Sequence, residues 1–218
     1  MDIDEAYSTE NYKNLLYEIE DIVDLKMNIE NIEKSIENIR NISEFLIYGC
    51  SKNKTYFEIF EERNILYTFD NILDIGNEMI NMQLIQTTSI LIQNLNQEQD
   101  LFYFFSHPFL NKLISYNFDL SGNTETVDYF ISFLKMLSLK IDKNTIQFFY
   151  NQKYKNFPLY RTAINLYNHP ETLVRTAART ITLKIYSLQT PSILSSILSL
   201  PHIIYFPHLS CHLFDLWL

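Results

Sequence analysis

NHPETLVRTAARTITLKIY, residues 168–186, reads as a helix whose start and buried face are both spelled out. Asn168 is a capping residue, Pro170 suits a first turn, and Glu171 stands three residues after the asparagine, as in a capping box. Val174, Ala177, Ala178, Ile181 and Ile185 recur at helical spacing and form the inward stripe. Arg175, Arg179 and Thr182 fall outside it. The two alanines let a neighbouring helix come close, so this segment is expected to pack against one.

The same period runs outward in both directions. Over 124–141, Val127, Phe130, Ile131, Leu134, Leu137 and Ile141 make one face, and Tyr129, Phe133, Met136 and Leu139 cover most of the rest. Only Asp128, Ser132 and Lys135 mark a wet stripe, so neighbours are expected on several sides. Near the start, Tyr12, Leu15, Leu16, Ile19, Ile22, Val23 and Met27 form one stripe. Ile29, Ile32, Ile36, Ile39 and Leu46 form a second. That pattern fits a coiled-coil arm or a helix packed on its neighbour, and it is too short for a firm coiled coil. KTYFEIFEER (54–63) and NILYTFDNILDIG (64–76) read as short helices, with Gly76 as the stop of the second. EMINMQLIQTTSILIQNLN (78–96) follows, and then a break at Ser106-His107-Pro108 with a restart at the proline. No stretch alternates at period two between turn pairs, so a sheet is not expected.

Short helices in series with Pro or Gly at the breaks predict an all-α chain, an armadillo/HEAT-like helical solenoid. Residues 168–186 resemble the second helix of a HEAT or armadillo repeat, with Val-Arg followed by Ala and a late aliphatic residue. A fixed repeat period is not demonstrable by self-alignment.

Composition narrows the function classes. Of 218 residues, 47% are hydrophobic, enough for a packed core. The three glycines, Gly49, Gly76 and Gly122, are too scattered for a dinucleotide loop, a P-loop or a nucleophile elbow. Two cysteines, Cys50 and Cys211, make neither a disulfide framework nor a four-thiolate zinc site, and a reducing compartment is the simpler expectation. The acidic start lacks the features of a secretory signal. Residues 185–214 carry no Lys, Arg, Asp or Glu, yet Pro191, Pro201 and Pro207 interrupt them, so a membrane span is not expected and the chain is expected to be soluble or peripheral. The net charge of −9 hides a division: residues 1–44 hold 4 basic and 12 acidic side chains, and residues 135–187 hold 9 and 2. The basic block reads as ordinary solvated helix faces, as a positive surface for an acidic protein or anionic lipid, or as a partner for the acidic front of its own chain. Nucleic acid is not expected, because the rest of the chain would repel phosphate.

FFSHPFLNKLISYNFDLS (104–121), YFISFLKMLSLKI (129–141), NTIQFFYN (144–151) and residues 157–186 stand in the order and spacing of the FPL-domain family. ISEFLIYGCSKNKTYFEIFEERNILYTFDNIL (42–73) resembles the start of that domain. The tripeptide that names the family is Phe157-Pro158-Leu159 here. The resemblance covers about residues 40–187 and implies a large armadillo-like protein without an established catalytic residue set. It also implies work at late endosomes, Golgi, lysosome or vacuole, and in autophagy. Three segments are expected: 1–40 as an acidic helical arm or first hairpin, 41–187 as the FPL-like domain, and 188–218 as a Pro-containing apolar segment that ends as a truncated continuation of the array.

The expected function is a non-enzymatic scaffold or adaptor in endosomal, lysosomal/vacuolar or autophagic membrane traffic, cytoplasmic and peripheral to those membranes. The alternative is a HEAT/armadillo-like adaptor outside membrane traffic. The candidate partner-binding residues are Lys153, Lys155, Phe157, Pro158, Leu159, Arg161, Arg175 and Arg179. Phe157-Pro158-Leu159 reads as a hydrophobic staple, with Phe157 folded back on the first turn of a helix starting at Pro158, or as an exposed docking corner. No catalytic residue, cofactor, metal or small-molecule substrate is expected. His202, His208, Cys211 and His212 form a soft-ligand cluster, but it lacks an assured fourth ligand and an orienting group.

Overall fold

The computed structural model describes residues 7–52, 54–95, 97–118, 124–151, 153–154, 156–198, 205–207 and 210. Every regular element among them is helical; the only strand-like feature there is a bridged pair, Asn151 with Asn156. The chain forms two compact units, Met1–Met136 and Leu137–Leu218.

In the first unit α1 (Thr9–Asp21) starts where the Ser8 hydroxyl accepts from the Asn11 N–H, 3.3 Å away. It packs on α2 (Ile29–Lys52), burying Tyr12, Leu16 and Ile19. The buried seam of α2 begins differently from its sequence stripe. Ser35 and Asn38 are buried in the early turns, Ile32 and Ile36 are half-buried, and Ile29 is 77% exposed. Small and polar side chains lie inside here because each finds a local partner. The Ser35 hydroxyl donates to the Asn31 carbonyl at 2.7 Å, and the Asn38 amide donates to Glu18 at 2.9 Å.

Two short helices follow, α3 (Thr55–Glu62) and α4 (Ile65–Asp74). Gly76 ends the second with φ 74°, as its position predicts. The long α5 (Glu78–Asn94) is capped by the Asn77 side chain and is the most extensive partner of α2. The break at residues 106–108 is present. The proline opens α7 (Pro108–Ser115) after α6 (Glu98–Ser106), and the His107 ring nitrogen accepts from the Phe109 N–H at 3.2 Å. Phe57, Phe60 and Phe104 stack between α3 and α6, the last two nearly parallel at 5.7 Å, and Phe69 meets Phe109 at 5.8 Å. Polar ties sit at the rim. Lys112 of α7 joins Asp70 and Asp74 of α4, and Arg63 pairs with Glu20 while covering the Tyr17 ring at 3.9 Å.

Helix α8 (Thr124–Lys140) buries Val127, Phe130, Ile131, Phe133, Leu134 and Leu137 as its pattern predicts. Its enclosure is incomplete, since Leu139 is 61% exposed. In the second unit a short 3₁₀ turn (Ile146–Phe149) leads to a loop closed by two reciprocal backbone bonds, Asn151 N–H to Asn156 O at 2.8 Å and the reverse at 3.1 Å. Helix α9 (Pro158–Asn165) packs on α10 (Thr172–Ser187), and α11 (Pro191–Ile197) follows.

Candidate interaction surfaces

The stripe of α10 is buried as read: Val174, Ala177, Ala178, Ile181 and Ile185 all face inward. Thr182 joins them, against expectation, because its hydroxyl donates to the Arg179 carbonyl at 3.0 Å and leaves the methyl to pack. The start also differs. The helix begins at Thr172 with Glu171 as the extended flanking residue, and Asn168 is not its cap. Pro170 keeps His169 out of helical geometry, so the chain makes one more turn before the helix begins. That turn is held by Arg175. Its guanidinium donates to the carbonyls of His169 (2.7 Å) and Pro170 (2.6 Å) and to the Thr172 hydroxyl (2.8 Å). Half-buried and so engaged, Arg175 is a positioning side chain rather than an open cation.

The other candidate residues separate by burial. Phe157, Pro158 and Leu159 are buried, so the exposed docking corner is corrected to an interior anchor. The Phe157 ring lies 5.8 Å from Tyr150 and from Tyr160, in line with the staple alternative. Tyr160 in turn shares a hydroxyl hydrogen bond of 2.8 Å with Tyr186 of α10. The tripeptide therefore fixes α9 against α10. Lys153, Arg161 and Arg179 are exposed. Lys153 sits at the tip of the closed loop with its ammonium 5.3 Å from the exposed Tyr154 ring. Lys155 lies outside the described residues, as do His202, His208, Cys211 and His212.

Sequence reading missed two side chains on this surface. Leu173 and Leu183 of α10 are 61% and 64% exposed. With Thr176 and Thr180 they follow 3-4 spacing down one face, beside Arg179. Both threonine hydroxyls donate back to backbone carbonyls at 2.9 Å, Thr176 to Thr172 and Thr180 to Thr176. The available signal was the failure of both leucines to fall on the inward stripe.

A second feature lies within the first unit, where α2, α3, α5 and α6 meet. A hollow of about 270 Å³ has Leu46, Ile47, Leu91 and Leu95 in its wall. It adjoins another of about 340 Å³ lined by Lys54, Glu58 and Glu61, and the two share Gln97 and Asp100. Burial lifts the Asp100 carboxyl above its ordinary range, with Lys54 pulling it down and Glu61 pushing it further up. Nearby, burial and Glu61 push the Tyr103 phenol up to about 12. Its hydroxyl is buried and has no hydrogen-bond partner among the described residues. Glu61 and Glu62 are exposed on α3, and the hollow beside Glu61 was not legible in the sequence because it depends on packing between elements far apart in the chain.

Among the described residues, no helix is long and apolar enough to cross a membrane. A family model named FPL, described as an uncharacterised conserved protein, matches residues 39–186, well over half of the chain. Protein CLEC16A of Homo sapiens is 42% identical over 160 residues, covering 73% of this chain and 15% of that protein. The Drosophila melanogaster CLEC16A homolog is 41% identical over 162 residues, again 73% of this chain and 15% of the relative. Protein TRANSPARENT TESTA 9 of Arabidopsis thaliana is 38% identical over 187 residues, 84% of this chain and 22% of the relative. The chain thus spans less than a quarter of the length of each of these three relatives.

Proposed function

The chain belongs to the FPL family, and on that premise we propose that it is a non-enzymatic helical scaffold in endosomal, lysosomal or vacuolar, and autophagic membrane traffic. It sits in the cytoplasm, peripheral to those membranes. Its helices belong to an armadillo-type array, and its second unit offers a basic face to an anionic membrane or an acidic protein.

The observation that carries this reading is the exposure of Lys153, Arg161 and Arg179 from a segment, residues 137–218, with 8 basic against 3 acidic side chains. Exposed leucines beside Arg179 suit a lipid interface, where cations meet headgroups and aliphatic groups meet the acyl boundary. A surface of this kind acts by presentation and needs no reacting group.

Charge reversal of Lys153, Arg161 and Arg179 to Glu tests it. At about 1 kcal/mol per cation near a charged surface, binding to phosphatidylserine vesicles at low salt falls on the order of a hundredfold while helicity is unchanged. Undiminished vesicle binding together with undiminished binding to an acidic peptide rejects the basic face. Localisation of the tagged chain on endosomes supports the traffic assignment, and accumulation at the nuclear envelope contradicts it.

A further inference from the structure

The paired hollow of the first unit has a chemistry opposite to that of the basic face. Its wall is aliphatic at Leu46, Leu91 and Leu95, with Ile47 on the rim. Its other half carries Glu58, Glu61 and the part-buried Asp100 against Lys54. The surroundings reinforce that sign, since residues 1–136 hold 23 acidic and 9 basic side chains. Such a field steers cations toward a concave site and concentrates there the effect of any charge that enters.

We propose that this hollow is the docking site for a cationic amphipathic helix of a partner protein. An aliphatic side chain fills the Leu46–Leu91–Leu95 half. A Lys or Arg one turn away reaches Asp100 and Glu61. Two adjoining compartments, one apolar and one acidic, match the two side chains that a helix presents three or four residues apart on one face. Asp100 gives the site its selectivity. Burial and the like charge of Glu61 raise its carboxyl while Lys54 offsets part of that cost, so an incoming cation that reaches Asp100 relieves the remainder. A neutral or acidic helix brings no such relief. The site is independent of the basic face, and it gives the scaffold a second kind of partner.

The test uses the full chain and a fluorescein-labelled helical peptide with leucines at 3-4 spacing and lysines one turn away. Two controls replace every lysine by glutamate or every leucine by serine. Anisotropy is expected to show saturable binding of the Lys–Leu peptide that weakens as salt rises, with each control at least about tenfold weaker. Glu61→Gln with Asp100→Asn weakens the Lys–Leu peptide by about tenfold or more, since it removes both carboxylates that receive the incoming cation. Ile47→Lys, on the exposed rim, does the same through repulsion and leaves the core intact. Arg179→Glu leaves this binding unchanged, which keeps the outcome distinct from that of the basic face. Equal binding of the glutamate control, or undiminished binding by both hollow variants, overturns the proposal. So does light scattering that shows the hollow occupied by a second copy of the chain.

Discussion

Gly49 shows how much one missing methyl group settles. A Cβ there would run into the ring of Tyr56, which lies against α2 and donates its hydroxyl to the Tyr7 carbonyl at 2.6 Å. Tyr56 is buried and fixed by that bond, so it has no cheap way to retreat. Gly49→Ala is therefore expected to lose about 1–3 kcal/mol despite the better helix propensity of alanine, read as a lower urea midpoint. A gain in stability would mean that the ring moves freely. Nothing in the sequence marks this position, because the clash lies between two helices and not along one. Arg175 carries the same lesson. As a letter it is one cation among nine in the basic block. In the fold its guanidinium holds the turn before α10, and an acidic partner would have to compete with three hydrogen bonds for it. Phe157-Pro158-Leu159 was legible as a pivot of the local structure, but the choice between staple and corner needed the aromatic rings of Tyr150 and Tyr160 in place.

At the scale of elements, helix existence was written plainly in the 3.6-residue period, and the breaks at Gly76 and Pro108 fell where their chemistry put them. What periodicity could not supply was the polar character of the buried side of α5, which meets α2 at Thr87 and α4 at Asn81. Asn81, Gln83, Thr87 and Thr88 are all buried on α5. The Gln83 amide donates to the Thr87 hydroxyl at 3.1 Å, which itself donates to the Ile39 carbonyl at 3.0 Å. The Thr88 hydroxyl is buried and has no such partner among the described residues. Adjacent threonines should thus respond in opposite senses to the same change. Thr87→Val strands the Gln83 amide and is expected to cost about 1–3 kcal/mol. Thr88→Val removes an orphaned hydroxyl and is expected to be neutral or stabilising by about 1 kcal/mol. Chemical denaturation of the two variants side by side decides the point; equal losses would show that this polar face is not organised by these bonds. A hydrophobicity pattern scores the two threonines alike.

Across the whole molecule, the charge division was legible from counting alone, because ionised side chains stay near the surface whatever the topology. The division into compact units at residues 136 and 137 was not, since it falls inside a helix whose apolar rhythm runs on unbroken. The second unit has its own response to alkali. Burial raises the Tyr160 phenol to about 12, and burial together with its bond to Tyr160 lifts Tyr186 still higher. Both favour the protonated form in the fold, while an unfolded chain releases these protons near an ordinary value of about 10. The contribution is intact below that value and is lost as pH climbs through the folded pKa. Tyr160→Phe, which removes one partner, is expected to shift unfolding in alkali to a different pH with little effect at neutrality, followed by circular dichroism; an identical alkaline midpoint would deny the pair this role. The hydroxyl pair that fastens α9 to α10 is also a built-in optical clock. In a rapid pH jump the solvent-facing tyrosinates absorb at once in the near ultraviolet, buried phenols such as Tyr103 and the pair follow later, and the part of the delayed signal that Tyr160→Phe removes times the separation of those two helices without any label attached.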